Sequence, residues 1–232
     1  MGIVLLPSLS KVIKNNNKKE IQNTQNRSLE FSLLISLPSA AGLYILSTPI
    51  IHILFERGAF LAEDTMYTAQ VLSIFSLGLP AYILIKVLVT CFFAREDTKT
   101  PLYVSVLSVV VNITLSLLLI SSMREMGIAL ATAVSAWINV ILLFFILKFK
   151  KNLILDTIIL KNIFKIIISV CVMLCGCYLL NEIFFANLTD TNFLKKLTNL
   201  LVIIICCKII YLSMIFMLKV LSLQDLKGYI KN

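Results

Sequence analysis

Apolar residues run along this chain in long continuous blocks separated by short polar segments, without the two-residue alternation of half-buried strands. Six blocks are long enough to cross a bilayer, which takes roughly 20 residues. They are Phe31–Ile51, Ala69–Phe93, Leu102–Met123, Gly127–Leu147, Ile163–Leu180 and Leu197–Leu218. A backbone in lipid must satisfy its hydrogen bonds internally, which leaves helical bundles or closed barrels. A barrel would show alternating segments of about ten residues. The pattern therefore predicts an all-α integral membrane protein, a bundle of about six transmembrane helices. Pro38 and Pro80 fall inside the first two, where each removes a backbone donor and frees a carbonyl that neighbours must re-satisfy.

The polar segments set an orientation. Lys11, Lys14, Lys18, Lys19 and Arg27 precede the first block, whereas Glu56, Glu63 and Asp64 outweigh Arg57 after it. Arg95 and Lys99 follow the second block. A short connection with Arg124 and Glu125 follows the third, and Lys148, Lys150, Lys151 and Lys161 follow the fourth. The next connection carries Glu182 and Asp190 but also Lys195 and Lys196, and the tail adds Lys219, Lys227 and Lys231. Apart from the Lys195-Lys196 pair, basic-rich and basic-poor segments alternate. Six crossings with both ends in the cytoplasm produce that alternation.

Composition agrees with lipid as the solvent. Of the 232 residues 59% are hydrophobic and 14% charged, and the mean hydropathy is +0.96. Soluble domains carry about a quarter charged residues. The net charge of +9 sits in short loops between apolar blocks, which is the topogenic pattern and not that of a nucleic-acid partner. Six cysteines lie inside apolar runs without a CxxC pair, and His52 is the one histidine, so neither a metal site nor a disulfide framework is expected. No HExxH, P-loop or Ser/His/Asp grouping is present, so the chain is not expected to be an enzyme and calls for no cofactor.

The N-terminal stretch is unusual. Gly2–Leu6 reads as the last turns of an apolar helix, closed by Pro7 and followed by a polar run rich in Asn, Gln and Lys. The chain is expected to be truncated. Residues 1–10 then form the end of a cut transmembrane helix and 11–30 a cytoplasmic polar and basic segment. Residues 31–148 hold four transmembrane helices, and 149–232 two more and a tail.

Several motifs stand in order along the chain: Ile3-Val4-Leu5-Leu6-Pro7-Ser8-Leu9-Ser10, Leu54-Phe55-Glu56-Arg57-Gly58-Ala59-Phe60, Lys86-Val87-Leu88, Ala94-Arg95-Glu96-Asp97-Thr98-Lys99-Thr100-Pro101, Gly127 to Thr132, and Trp137-Ile138-Asn139. Together they resemble the MurJ (MviN) lipid II flippase family, within the multidrug/oligosaccharidyl-lipid/polysaccharide exporter superfamily. The resemblance covers about residues 2–148; beyond that only the hydrophobic pattern agrees. It implies the last six helices of a fourteen-helix transporter of the bacterial inner membrane, which moves undecaprenyl-pyrophosphate-linked peptidoglycan precursor between leaflets for cell wall synthesis. The family's arginine-lined cavity draws chiefly on the first eight helices, so the missing N-terminal half is an implied partner, as are membrane lipids. A non-transporting remnant or partner subunit, or a drug or polysaccharide exporter, are the other readings.

A diphosphate lipid needs a cation at membrane depth and a groove for its tail. Basic side chains there cost about 2.5–3.5 kcal/mol and mark a pathway or a pair. Lys86 and Lys208 are the candidates for lipid binding, set against a Lys86 that snorkels to headgroups and a Lys208 at the interface in a tilted helix. No carboxylate lies within any of the six blocks. Asn112 and Ser116 share a helix face, with Thr132 on the next helix, and such oxygens hold Na⁺ or tie helices together. Sodium-binding members that the chain resembles use an Asn, an Asp one turn later and a Thr. Ser116 replaces that Asp, and loss of the carboxylate favours helix tying. Glu56 and Arg57 are expected in a structured turn or an outer gate, where a surface ion pair is worth little. Na⁺ and the membrane potential are both open as driving forces.

Overall fold

The computed structural model describes residues 18–185 and 193–220. The helix end expected at residues 1–10, the Ile3–Ser10 motif, and Lys11, Lys14, Asp190, Lys227 and Lys231 lie outside these residues. Seven helices are described: α1 Lys18–Ile45, α2 Ser47–Phe55, α3 Ala62–Phe93, α4 Lys99–Met123, α5 Glu125–Phe149, α6 Thr157–Phe185 and α7 Phe193–Met217. All but α2 are long and apolar enough to cross a membrane.

The helices overrun the apolar blocks for a physical reason. Hydropathy marks the hydrocarbon thickness, whereas helices of 25 to 32 residues extend past it into the interface. Caps fix the true starts. Asp64 accepts the Leu61 N–H at 2.9 Å, so α3 begins at Ala62 and not near Ala69. Asp97 accepts the Thr100 N–H at 3.0 Å, and Pro101 fits the first turn of α4. Lys165, expected in the first turn of its helix, lies two turns inside α6.

The first span needs the largest correction. It was expected to run from Phe31 to Ile51, but the helix starts at Lys18, stops at Ile45 and restarts at Ser47. Pro49 cannot donate to the Ile45 carbonyl and its ring crowds that oxygen, so a continuous helix is broken there while the first turn of a new one accepts the proline. The polar stretch before Phe31 is helical too, and Gln25 and Asn26 in it are buried.

The chain divides into two compact units, one combining the residues up to Ser36 with Ile74–Leu160, the other Leu37–Ser73 with the residues from Lys161 onward. In the first, Ala81, Leu84, Val87, Leu88, Cys91 and Phe92 of α3 meet Ala136, Val140, Leu143 and Leu147 of α5, with Leu29 and Val104 at the edges. A single residue, Arg124, at φ +49°, separates α4 from α5. The two pack closely at Gly127, whose missing Cβ would stand 2.7 Å from the Leu119 carbonyl oxygen of α4. Trp137 donates its indole N–H to the Leu77 carbonyl at 3.0 Å, in the turn that Pro80 loosens. Across α4, by contrast, Tyr103, Val106, Val110, Leu117 and Leu118 are exposed, as lipid-facing side chains are in a membrane bundle.

In the second unit Leu200, Ile203, Cys207, Tyr211 and Ile215 form one buried stripe along α7, at the three- and four-residue spacing of a helix face. Gly176 of α6 leaves room for Ile210, whose Cδ1 lies 2.9 Å from where a Cβ would stand. Helix α2 packs against α7.

Candidate functional site

Glu56 is the hub of the second unit. It closes α2, with its N–H on the His52 carbonyl at 3.3 Å, and Gly58 at φ +64° then turns the chain. One helical turn back, the His52 Nδ1 lies 2.7 Å from Glu56 Oε2, and the Thr65 hydroxyl of α3 donates to the same oxygen at 2.7 Å. The other ring nitrogen of His52 meets Lys196 Nζ of α7 at 2.9 Å. The Thr65 and His52 hydrogen bonds hold the Glu56 carboxyl below the usual range. Arg57 takes no part; it donates to the Leu54 carbonyl at 2.8 Å. Among the described residues Glu56 and Arg57 form no ion pair with each other, because neighbours in sequence leave a helix end in different directions whereas residues four apart meet. Sequence reasoning missed Thr65 and Lys196 here. The His52/Glu56 spacing and a lysine in a segment that should lack one were the available signals.

A second hub sits in the first unit, built on the Ala94–Pro101 motif. Arg95 donates to the Cys91 carbonyl at 2.7 Å and the Asn152 carbonyl at 3.0 Å. Turned to satisfy both ends, the buried Gln25 amide donates to Asn152 and accepts both Arg95 nitrogens, at 3.0 and 3.1 Å. Asp156 accepts from Gln22 at 2.6 Å and Asn26 at 3.2 Å. Asp97 takes Lys150 at 2.7 Å and the Thr100 hydroxyl at 2.8 Å. The Lys150 and Thr100 hydrogen bonds hold the Asp97 carboxyl at about 2, so it stays charged. The motif thus joins the start of α1 to the α3–α4 and α5–α6 connections.

The remaining candidates are placed more simply. Ser116 donates to Asn112 Oδ1 at 3.2 Å, so these two are brought together. The Thr132 hydroxyl turns to its own helix, onto the Ile128 carbonyl at 2.8 Å, and among the described residues no hydrogen bond joins it to Asn112 or Ser116. Lys86 and Lys208 are both exposed on their helices, and among the described residues neither has an ion-pair partner. No group of three or more His, Cys, Asp or Glu residues able to hold a metal occurs among the described residues.

The sequence profile of the family described as lipid II flippase MurJ matches residues 1–199. The chain belongs to the MurJ family. A probable lipid II flippase MurJ from Rhizobium tropici is 45% identical over 173 residues, which cover 75% of this chain and 32% of the relative. Its counterpart from Rickettsia prowazekii is 46% identical over 141 residues, 61% of this chain and 28% of that protein. A solved structure, lipid II flippase MurJ in an inward closed conformation, superposes with a TM-score of 0.72 at 30% identity, covering 92% of this chain and 41% of its own. The MurJ match runs past residue 148, where the motif resemblance stops, and the matched stretch is the C-terminal portion of the full-length relatives. The chain spans about a third of the length of the first MurJ relatives. Family membership and six membrane-length helices make it a multi-pass inner membrane protein.

Proposed function

We propose that this chain is the C-terminal portion of a transporter that moves lipid II, the undecaprenyl-pyrophosphate-linked peptidoglycan precursor, across the inner membrane. The match of the MurJ profile over residues 1–199 carries this reading. It is a reading of transport, not of catalysis: two lobes would rock about a central site, driven by an ion gradient or the membrane potential. The alternating basic segments support both ends lying in the cytoplasm, which puts the Glu56 hub outside and the Arg95 hub inside. The diphosphate would be gripped chiefly by the N-terminal helices of the family, with Lys208 and Lys86 meeting the lipid along this portion. For Asn112, Ser116 and Thr132 helix tying is kept over a cation site because no carboxylate lies in the apolar blocks that hold them; the Ser116–Asn112 and Thr132–Ile128 bonds each lie within one helix and do not themselves join two.

Depletion of the protein in its host is expected to trap precursor on the inner leaflet, read by its accessibility to an impermeant reagent. Growth and wall synthesis that continue unaffected would overturn the reading. Within that assay, Lys208→Leu in a full-length context is expected to lower flipping several-fold at unchanged protein level. Full activity of the variant would remove Lys208 from the lipid path.

A further inference from the structure

The chain has one histidine, and the structure engages both of its ring nitrogens with partners of opposite kind. A carboxylate only accepts and an ammonium only donates. With Glu56 at 2.7 Å from Nδ1 and Lys196 at 2.9 Å from Nε2, the proton must sit on Nδ1 and the lone pair on Nε2. The imidazole is therefore neutral, and it is the link between α2 and the first turn of α7. The Glu56 carboxylate is held independently by Thr65 of α3 at 2.7 Å.

The other charged groups nearby have their own positions. On α3, Asp64 caps Leu61 and Glu63 is exposed beside it. Arg57 is bound to the Leu54 carbonyl, and Lys195 on α7 is exposed. Among the described residues the polar partners of the ring are Glu56 and Lys196.

We propose that His52 is a proton-binding site whose occupancy decides whether the first turn of α7 stays fastened to α2. A proton added at Nε2 replaces a donor–acceptor contact with two donors and two positive charges facing each other. Lys196 must withdraw. The imidazolium keeps Glu56, now as an ion pair, so the α2–α3 tie persists while the α7 tie is lost. Histidine is the side chain whose ordinary range makes such an exchange available between about pH 5 and 8. The assignment also accounts for Lys196, a basic residue in a segment where loop charge alone predicts few. That this end faces the more acidic side of an energised membrane rests on the orientation proposed above; the proton dependence of the contact does not.

Because there is a single histidine, the ring ¹⁵N spectrum of the purified chain in detergent has one possible source. At about pH 8 the proton is expected on Nδ1, and a proton on Nε2 would overturn the assignment. Amide exchange of residues 193–199 is then compared, at each pH, with His52→Gln, whose amide donates to Glu56 and accepts from Lys196 but does not titrate. The ratio of wild-type to variant exchange is expected near unity when the ring is neutral and several-fold higher once it is protonated. A ratio that stays flat through the titration overturns the proposal. Lys196→Met serves as a second test should the first variant fail to fold: without the ammonium, protection of residues 193–199 against exchange is expected to stay flat over the same pH range, and a several-fold loss contradicts the repulsion invoked. Neither readout needs transport, so failure here leaves the proposed function to its own test.

Discussion

Arg95→Ala is expected to destabilise the chain by about 3 kcal/mol, more than any other single change in its polar loops. The guanidinium donates to two backbone carbonyls, Cys91 and Asn152, and is embraced by the Gln25 side chain. Hydrogen bonds from a charged donor contribute about 1.5–3 kcal/mol each at most, and a buried acceptor left without a partner costs about 1–3 kcal/mol. Alanine removes the first and imposes the second, because Gln25 is 1% exposed and water cannot reach it to substitute. The effect should appear as a lower thermal midpoint of the detergent-solubilised chain and as earlier proteolysis in the α3–α4 and α5–α6 connections. Arg95→Lys should recover a minor part, since an ammonium lacks the planar fork that reaches three acceptors. A midpoint for Arg95→Ala within a degree or so of wild type would mean that the connections are held by something other than this arginine.

Gly127→Ala is expected to be as damaging through packing alone. A Cβ on this residue would lie 2.7 Å from the Leu119 carbonyl oxygen and 2.8 Å from its carbon, both backbone atoms of α4. No rotamer change relieves a clash with backbone, so α4 and α5 must separate. Overpacking in a dense interface costs about 1–3 kcal/mol and sometimes more. The one-residue connection at Arg124 leaves little slack to absorb the shift. The checks are protein accumulation in the membrane and the thermal midpoint, with Gly42→Ala as control, because nothing lies within 4 Å of the position its Cβ would take. Equal behaviour of the two variants would show that the hairpin is looser than its geometry.

Both predictions turn on features that the apolar pattern does not reveal. The number and class of the helices were legible because lipid imposes about 20 consecutive apolar residues per crossing, a signal that survives any detail of packing. Gly127 and the Ala94–Pro101 motif could be noticed as family resemblance, but not why they matter. Arg95 is satisfied by Gln25 and Asn152, which stand in segments that read as polar linker. Such pairings between distant positions leave no local periodicity. The same holds for Lys196, which breaks the loop-charge pattern until its partner 144 positions away is known. Glu56 and Arg57 show the converse: adjacency suggested a pair, and the helical repeat sent Glu56 to His52 instead. The break at Leu46 was readable from Pro49, yet Pro38 and Pro80 sit inside unbroken helices, so proline alone does not say which outcome follows.

The indole of Trp137 is the sole one in the chain, and it is bonded to the turn of α3 that Pro80 weakens. Nature has thereby placed an intrinsic fluorophore across the α3–α5 contact. Its emission comes from a single location, so unlabelled protein carries its own optical gauge of whether that pair of helices stays in register.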